Sequence, residues 1–234
     1  MSLKINITLF FICISLFGSA QNQFSDIKKA LDTMNNSVAF AELTDYISKN
    51  GSSIEAHEFR LNLADSINNK SYYLADINWL IANNSSKNDF YYYKKGCFCK
   101  ISNSRDAISD FSKSIEFNPS YWDSYFERAL LYFRIPDKMD QASTDFTSYI
   151  NAEVFTRKSD ALVFRGRIFQ QQEKFKDALV DFNLAIKLNY LNREAFVARG
   201  LLKIEMGDDG CSDLLKYQTM GGEDAQIYIT DFCK

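Results

Sequence analysis

The side chains that could carry chemistry are few in this chain. His57 is the only histidine, so the paired-histidine metal motif HExxH and a second histidine base are both excluded. Cys97 and Cys99 are two residues apart, and such residues point to nearly opposite sides of a helix. We therefore expect them to be packed free thiols, not a metal site. Residues 207–210 (GDDG) lack the ligand spacing of a calcium loop and indicate a tight turn. The sequence thus predicts no catalytic residue, no metal site and no cofactor.

The first 20 residues have the three regions of a secretory signal peptide. Lys4 precedes an apolar run from Leu9 to Phe17, and a short run of small residues ends at Ala20. This order predicts a signal peptide over residues 1–20 with cleavage after Ala20. The apolar run is too short to anchor the chain stably in a bilayer. We expect an exported protein, periplasmic or secreted, with no membrane span after signal removal.

Composition and charge limit the class of partner. Hydrophobic residues make up 46% of the chain and charged residues 24%, which is typical of a globular protein. Removal of residues 1–20 takes away Lys4 and no acid, so 27 basic residues become 26 against 30 acidic ones, a net charge of −4. Because nucleic-acid phosphates require a basic face, we expect no nucleic-acid partner. Only two prolines occur, which favours long helices joined by short turns.

One helical segment recurs along the chain at a nearly constant spacing. Asp106–Asn118 reads DAISDFSKSIEFN and Asp177–Asn189 reads DALVDFNLAIKLN. Weaker copies give one aspartate per repeat at steps of 32 to 36 residues: Asp76, Asp110, Asp145, Asp181 and Asp213. A basic residue precedes each of them, at steps of 33 to 37 residues: Arg60, Lys95, Arg128, Arg165 and Arg199. Two independent columns with one period of about 34 residues indicate a repeat protein.

Each repeat contains two amphipathic helices. Ala178, Phe182 and Ile186 lie at i, i+4 and i+8 on one helical face, and the upstream Leu162 and Gly166 follow the same periodicity. Short polar turns between the two segments predict an antiparallel hairpin. In it the small Gly166 lets the helix axes approach, and Phe182 fills the remaining gap. A single hairpin cannot cover its own apolar face, so successive hairpins are expected to stack into a solenoid.

The repeat resembles the tetratricopeptide repeat family. In the best copy, residues 162–190, the consensus positions of the family are occupied by Leu162, Gly166, Phe169, Ala178, Phe182 and Ala185. Tyr190 replaces the terminal proline of the family, and Leu61 replaces the small glycine in the first copy. The resemblance implies an all-α fold, a right-handed α-α superhelix (solenoid) of stacked antiparallel helix hairpins. The implied segments are a signal peptide at 1–20, an N-terminal helical lead-in or cap at 21–53, about five repeats at 54–220 and a C-terminal capping helix at 221–234.

The resemblance also implies a binding surface on the first helix of each hairpin. In this family the first helices line a concave groove that takes up a peptide or a partner helix. By register, the groove would be lined by Tyr93, Lys94, Cys97, Lys100, Phe126, Leu130, Phe133, Arg134, Phe164, Arg167 and Gln170. Basic and aromatic side chains suit an acidic or aromatic peptide. The alternative is that part of this set covers the interior of the superhelix and binds nothing.

The function implied by this surface is that of a non-catalytic protein-interaction scaffold. Its partner would be a protein or a peptide, bound in the concave groove. A structural subunit of a larger cell-envelope assembly is the alternative, in which the groove is filled permanently.

The two charged columns predict contacts between the helices of each hairpin. Basic residues and aspartates recur at matched registers, which neutral packing alone does not require. We expect the two columns to meet as a ladder of ion pairs. Because exposed ion pairs contribute only about 0–1 kcal/mol each, such a ladder sets the stacking register more than the stability.

The C-terminal end of the chain carries two cysteines in a shortened repeat. The predicted helix from Cys211 to about Met220 has no following repeat, and Gly221-Gly222 ends it. The segment after it has apolar residues at helical spacing. A hairpin of two helices of about ten residues each returns Cys233 beside Cys211, so we predict a disulfide between them. Two unpaired thiols are the alternative. This ending also resembles the cysteine-bearing terminal unit of exported bacterial tetratricopeptide repeat proteins, which implies a bacterial cell envelope.

Overall fold

The described part of the chain is all-α. A computed structural model describes residues 24–27, 35–50, 53–153 and 156–233, apart from the side chain of Ser85. These residues form helices joined by turns and contain no strand, which confirms the predicted fold class. The predicted signal peptide at residues 1–20 lies outside the described residues. Within the described ranges, no helix has both the length and the apolar character needed to cross a bilayer.

The helices follow one another with short connections. They are α1 (Asn36–Asn50), α2 (Ile54–Ser66), α3 (Lys70–Asn83), α4 (Asn88–Cys99), α5 (Ser104–Phe117), α6 (Trp122–Phe133), α7 (Met139–Asn151), α8 (Lys158–Gln171), α9 (Phe175–Leu188), α10 (Arg193–Glu205), α11 (Cys211–Thr219) and α12 (Ala225–Phe232). Short 3₁₀ turns at Ser85–Lys87 and Pro136–Lys138 precede α4 and α7. The chain divides into two compact units, one ending at Tyr91 and the other beginning at Tyr92.

In the first unit, α1 packs on α2, and α2 packs on α3. Leu43 and Tyr46 of α1 join Ala56 of α2 in a buried cluster. The side chain of Ser53 accepts a hydrogen bond from the Ala56 N–H, which is how serine stabilises the start of a helix. The segment 21–53, expected to be a helical lead-in or cap, therefore contains α1, which covers one side of α2.

The first unit also buries a polar cluster between α2 and α3. Asp76 accepts hydrogen bonds from Arg60 Nε at 2.9 Å and Arg60 Nη2 at 2.6 Å. His57 Nδ1 lies 2.7 Å from Asp76 Oδ1, and the imidazole ring stacks on Trp79 with centroids 3.8 Å apart. Burial by itself would raise the pKa of Asp76, but hydrogen bonds from His57 and Arg60 outweigh it and lower the pKa. The only histidine is therefore part of a buried structural cluster.

In the second unit, successive hairpins stack on one another. The helices of the hairpins α6–α7, α8–α9 and α10–α11 pack together in pairs, and α5, α7 and α9 each pack on the first helix of the next hairpin. In α4–α5 the contact includes the rings of Tyr93 and Phe111, whose centroids are 6.0 Å apart. Side chains from α6 to α12 form one continuous buried core. The stacked helix hairpins predicted from the period are confirmed.

Glycines at the crossings of two helices allow their close approach. A Cβ atom added to Gly166 would lie 2.5 Å from the Phe182 ring, and one added to Gly96 would lie 2.7 Å from the Phe111 ring. Both distances are too short for real carbon contacts. The predicted packing of Phe182 against a glycine is therefore confirmed, and the same arrangement recurs two hairpins earlier.

The last two helices close the C-terminal end of the second unit. Gly221, with φ +79°, follows α11, a conformation that favours glycine, and α12 packs back on α11. The Sγ atoms of Cys211 and Cys233 lie next to each other, and their Cα atoms lie 5.6 Å apart. The structure thus brings the predicted pair to disulfide distance. Cys97 and Cys99 are free thiols, half-buried rather than fully enclosed.

Candidate functional site

The predicted ladder of ion pairs is present inside the hairpins. Three arginines of the second unit bind their aspartates through two hydrogen bonds each, at 2.6 to 2.8 Å: Arg128 to Asp145, Arg165 to Asp181 and Arg199 to Asp213. Arg60 and Asp76 form the same pair in the first unit. Lys95 Nζ and Asp110 Oδ1 form a longer one, at 3.8 Å. These distances confirm the ladder, which joins the two helices of each hairpin. Its aspartates are buried rather than exposed, so breaking one of the arginine pairs costs more stability than was expected of exposed pairs.

The arginines of the second unit also contact the preceding hairpin. Their Nη1 atoms donate to a polar side chain there: Arg128 to Ser112 at 2.9 Å, Arg165 to Thr147 at 3.1 Å and Arg199 to Asn183 at 2.7 Å. Each acceptor lies two residues after the aspartate of its own hairpin. Because a guanidinium presents five donors in a planar fork, one side chain fixes both its own hairpin and the one before it. This repeated contact, which sequence reasoning missed, joins each of these first helices to the second helix of the preceding hairpin.

A cleft of about 700 Å³ runs along the first helices of the second unit. Phe133 of α6 and Arg167 and Gln170 of α8 line it, and all three belong to the predicted groove. The rest of the wall comes from the end of α8, from the turn after it and from the segment α10 to α12: Gln171, Glu173, Glu194, Val197, Ala198, Leu201, Glu205, Tyr217, Asp224 and Tyr228. The structure therefore brings three of the predicted residues together in one cleft.

Carboxylates outnumber cations in the cleft. Its lining contains one cation, Arg167, and four carboxylates, Glu173, Glu194, Glu205 and Asp224, so the net charge of the lining is −3. Arg167 Nη2 is already paired with Glu194 Oε2 at 2.7 Å. Of the two ligand types that the sequence indicated, an acidic or an aromatic peptide, the acidic one is therefore disfavoured by the charge of this part of the groove. A cationic group suits the cleft better.

The residues after the last repeat supply one side of the cleft. The Tyr217 hydroxyl donates to Asp224 Oδ1 at 2.6 Å. This hydrogen bond, followed by burial, raises the pKa of Tyr217 to about 12. The same hydrogen bond and one from Tyr228 lower the pKa of Asp224. Asp224 is therefore an ionised carboxylate between two tyrosines at neutral pH.

Several predicted aromatic and aliphatic residues lie beneath the groove surface. Phe126 is fully buried, and its ring lies 5.7 Å from Phe146 and 6.4 Å from Phe164, centroid to centroid. Phe164 stacks on Phe146 at 5.5 Å and meets Phe133 edge-on at 5.4 Å. Leu130 is partly buried against the same core. Phe126 thus supports the groove from below and has no surface to offer a ligand, whereas Phe133 reaches the cleft.

A second group of residues surrounds Glu127 on α6. Lys100 Nζ donates to one carboxylate oxygen of Glu127 at 2.9 Å, and Arg157 Nη1 donates to the other at 2.7 Å. Burial by itself would raise the pKa of Glu127, but the hydrogen bonds from Arg157 and Lys100 outweigh it and lower the pKa. The guanidinium of Arg157 also lies 3.6 Å from the centroid of the Phe126 ring, a favourable cation–π contact.

The remaining predicted residues lie on α4 or at the end of α6. The Tyr93 ring packs 5.1 Å from the Tyr121 ring, and burial followed by the neighbouring Cys97 thiol raises the pKa of Tyr93. Lys94 is half-buried, and Arg134 is exposed directly after α6. The structure therefore separates the predicted set into a cleft group, a group around α4 and Glu127, and the aromatic core beneath them.

Sequence reasoning missed the contribution of α10 and of the residues after it. Leu201 lies 34 residues after Arg167, at the groove position of the next repeat. The register that selected Arg167 therefore pointed to α10 as well. No repeat signal points to Asp224 or Tyr228, because they follow the last repeat. They reach the cleft only through the folding of α12 onto α11.

The two segments considered as metal sites, Cys97–Cys99 and residues 207–210, both lie within the described residues. In the described ranges, no group of three or more His, Cys, Asp or Glu side chains could hold a metal ion. Residues 207–210 form the connection between α10 and α11. There Asp209 Oδ1 accepts a hydrogen bond from the Cys211 N–H at 2.8 Å. The predicted use of this segment as a tight turn is confirmed.

Comparison with known proteins identifies the fold. No family profile and no curated protein matches the sequence, but solved structures do. The C-terminal part of a tetratricopeptide repeat protein from Cytophaga hutchinsonii superposes with a TM-score of 0.68 at 12% identity, over 89% of this chain and 83% of that one. PilF from Pseudomonas aeruginosa gives 0.66 at 13% identity, over 91% and 97%. The chain has the tetratricopeptide repeat fold.

A third structure of this fold is YrrB, described as a tetratricopeptide repeat protein with an unusual peptide-binding site. It gives a TM-score of 0.65 at 14% identity, over 81% of this chain and 97% of YrrB. In this chain, the first helices of the hairpins that follow α3 are α4, α6, α8 and α10. The cleft lies on the face of α6, α8 and α10 that the groove register indicates.

Proposed function

We propose that this protein is a non-catalytic interaction scaffold that binds a peptide or partner segment along the first helices of its second unit. The observation that carries the proposal is the cleft of about 700 Å³. Val197, Ala198 and Leu201 contribute apolar surface to it, and charged residues surround them. Apolar surface with a few fixed polar groups is typical of binding sites. The peptide-binding site described for YrrB, which shares the fold, supports a peptide as the ligand class.

The charge of the cleft lining argues against a nucleic-acid partner. Its net charge of −3 repels phosphate groups, whereas nucleic-acid binding requires a cationic surface.

The proposal is tested with peptides selected by display on the protein and measured on two matched variants. Leu201→Glu puts a charge on the apolar part of the cleft. Val180→Glu makes a similar change on the outer face of α9, where Val180 is 63% exposed. We expect Leu201→Glu to weaken binding about 30-fold, as for the loss of a central contact worth about 2 kcal/mol, and Val180→Glu to leave it unchanged.

Thermal unfolding of both variants is the control for the fold, and fluorescence anisotropy measures the affinity. If Leu201→Glu folds normally and retains full affinity, the cleft is not the binding site. If Val180→Glu weakens binding as much as Leu201→Glu, the selected peptides bind elsewhere.

A structural subunit of a larger cell-envelope assembly is the second candidate function. Val180, Leu184 and Leu188 lie at i, i+4 and i+8 on α9 and are 63%, 37% and 46% exposed. The positions of α7 equivalent to Val180 and Leu184 are the polar Thr144 and Ser148. An exposed apolar stripe is typical of a surface that packs against another protein. Light scattering separates the two functions: a monomer supports the scaffold, and a stable oligomer that Leu184→Glu dissociates supports the subunit.

We also propose that the chain is exported, to the periplasm or the outside of a bacterial cell. The sequence of residues 1–20 and the disulfide distance between Cys211 and Cys233 support export, because disulfides persist in oxidising compartments. Cell fractionation and non-reducing mass mapping are expected to find residues 1–20 removed and the two cysteines joined. A free thiol at Cys233, or the protein retained with residues 1–20 in the cytoplasm, contradicts export.

A further inference from the structure

We infer that the groove of the second unit is electrically polarised, and that it selects an extended peptide with an acidic side chain near Glu127 and a basic side chain in the cleft. The inference rests on the proposed function, since it specifies the charges of the peptide that the same groove binds. The two ends of the groove lie two repeats apart at equivalent positions, because Glu127 directly precedes Arg128 and the cleft residue Ala198 directly precedes Arg199.

The cation end, formed by Lys100, Glu127 and Arg157, carries two positive charges and one negative charge. The side chains of Lys100 and Arg157 are 38% and 39% exposed, whereas that of Glu127 is 8% exposed. Lys100 and Arg157 each donate one hydrogen bond to Glu127. An ammonium group has three N–H donors and a guanidinium has five. The side chains accessible to a ligand at this end are therefore the two cations. Both have further N–H groups that can donate to a carboxylate of the ligand.

The cleft at the other end has the opposite charge. Arg167 neutralises Glu194, which leaves Glu173, Glu205 and Asp224. Among the described residues, none of these three forms an ion pair with a Lys or Arg side chain, although Glu205 accepts a hydrogen bond from the uncharged Gln170 at 2.6 Å. A carboxylate flanked by aromatic rings, as Asp224 is by tyrosines, suits an ammonium or guanidinium.

The surface between the two ends is mainly apolar. Leu130, Phe133 and Phe164 are partly buried side chains that pack on the core there. Packed helices lie about 10 Å apart, so α6 and α10 are separated by about 20 Å. About six residues of extended chain cover that distance at about 3.4 Å each. The two charges of the ligand are therefore about six residues apart, with an apolar residue between them.

This arrangement disfavours peptides of a single charge. A uniformly acidic peptide meets three cleft carboxylates that have no Lys or Arg partner, and a uniformly basic one meets Lys100 and Arg157. Like charges brought together cost binding energy. Each of these peptides therefore has an unfavourable interaction at one end of the groove. The order of the acidic and basic side chains along the peptide thus adds specificity to a groove whose apolar centre accepts many sequences.

The test uses synthetic fluorescein-labelled nonapeptides with Phe and Leu at the centre and Ser elsewhere. One set carries Glu and Lys about six positions apart, in both chain orders, and matched sets carry Gln in place of Glu, of Lys or of both. Anisotropy at low ionic strength is expected to show that one Glu/Lys order binds about fivefold more tightly than each of its single-Gln counterparts. Added salt should reduce this advantage.

Charge-neutral variants of the protein assign each peptide charge to one end of the groove. Lys100→Gln should remove the advantage of the peptide Glu and preserve that of the peptide Lys, and Glu205→Gln should do the reverse. Glu127→Gln, which removes the internal competitor of the cation end, should strengthen binding of Glu-bearing peptides. Lys187→Gln on α9 and Glu116→Gln on α5, both exposed, are the matched controls and should change nothing.

The outcomes separate this inference from the proposed function. Equal binding of the charged and Gln peptides overturns the polarised groove and leaves the groove itself intact. The same holds if display-selected peptides bind the cleft but no Glu/Lys peptide does, or if Lys187→Gln acts as strongly as Lys100→Gln. If neither a synthetic nor a display-selected peptide binds the folded protein, the proposed function fails together with the inference.

Discussion

The hairpins α4–α5 and α8–α9 have nearly the same second helix, but the ion pair inside them differs. In α8–α9, Arg165 contacts both carboxylate oxygens of Asp181 at 2.8 Å and also donates to Thr147 of the preceding hairpin. In α4–α5, Lys95 Nζ lies 3.8 Å from Asp110 Oδ1. Across the described chain, no hydrogen-bond partner reaches Asp110 Oδ2.

The difference shows that the repeat register determines the position of the aspartate in the hairpin. The type of basic side chain determines whether both carboxylate oxygens have a hydrogen-bond partner. Asp110 and Asp181 are both buried. Arginine offers a planar fork that matches two carboxylate oxygens, whereas lysine offers a single charged point. Burial raises the pKa of Asp110, and Lys95 lowers it too little to compensate. The ladder is therefore strong at α8–α9 and weak at α4–α5.

Removal of the two carboxylates should have very different effects. Asp181→Asn leaves the guanidinium of Arg165, whose side chain is 17% exposed, without its counter-charge. We expect this change to lower the free energy of unfolding by about 3 kcal/mol. Asp110→Asn removes a poorly paired buried charge and should be neutral or stabilising. Urea denaturation of both variants measures the difference, and equal losses would show that the two pairs are equivalent.

The apolar contact, unlike the ion pair, should respond alike in both hairpins. Gly166→Leu and Gly96→Leu each overpack a phenylalanine ring at less than 3 Å, and each should cost about 2 kcal/mol of unfolding free energy. The first hairpin has Leu61 and Ile77 at these two positions, both buried. Adding Phe182→Ile to Gly166→Leu should therefore restore at least half of the loss.

Thermal denaturation of these glycine variants is the measurement. A loss in α8–α9 that is several times the loss in α4–α5 would contradict the equivalence of the two apolar contacts. Failure of Phe182→Ile to restore any stability would show that the clash is with another neighbour.

Replacement of the lysine by arginine should make the weak hairpin resemble the strong one. Lys95→Arg supplies two parallel donors to Asp110, including one for the unpartnered Oδ2. We expect a gain of about 1 kcal/mol in the free energy of unfolding, lost again when Asp110→Asn is added. The converse change, Arg165→Lys, is the matched control and should destabilise. If Lys95→Arg lowers the free energy of unfolding, the hairpin has no room for the guanidinium group.

The smallest effect is expected in the pH dependence of stability. The folded pKa of Asp110 is raised above its ordinary value of 3.8, so on acidification the native state binds this proton before the unfolded chain does. Asp110 therefore costs stability at neutral pH, and this cost shrinks as the pH falls through the folded pKa. When the pH falls from 7 to 4, the free energy of unfolding of the wild type should therefore rise relative to that of Asp110→Asn, by less than about 1 kcal/mol. Parallel stability curves would contradict the raised pKa.

The fold was largely predictable because its signals are local and repeated. The spacing of Ala178, Phe182 and Ile186 predicts a helix face, and the recurrence of that face every 34 residues or so predicts stacked hairpins. The return of Cys233 to Cys211 followed in the same way from two short helices and a Gly-Gly turn. The ladder pairs followed from two columns that keep one register.

The site was only partly predictable, because register shows which face a residue occupies and not how deeply it lies. Phe133, Arg167 and Gln170 line the cleft as the register indicated. Phe126, assigned to the same face, is fully buried, since Phe146 and Phe164 enclose it. The charge of the cleft differs from the expected one for a related reason: the sequence shows Arg167 but not its pairing with Glu194 of the next hairpin.

The sequence by itself determined the helices, their pairing and their order, since these depend on side chains within about one repeat of each other. Only the tertiary structure decided the cleft and its charge. Asp224 and Tyr228 join Glu194 and Glu205 there because α12 folds back on α11, and no periodicity connects the last helix to the repeats. Electrostatic character depends on which charges become neighbours and which are neutralised, and this is a property of packed hairpins, not of any single one.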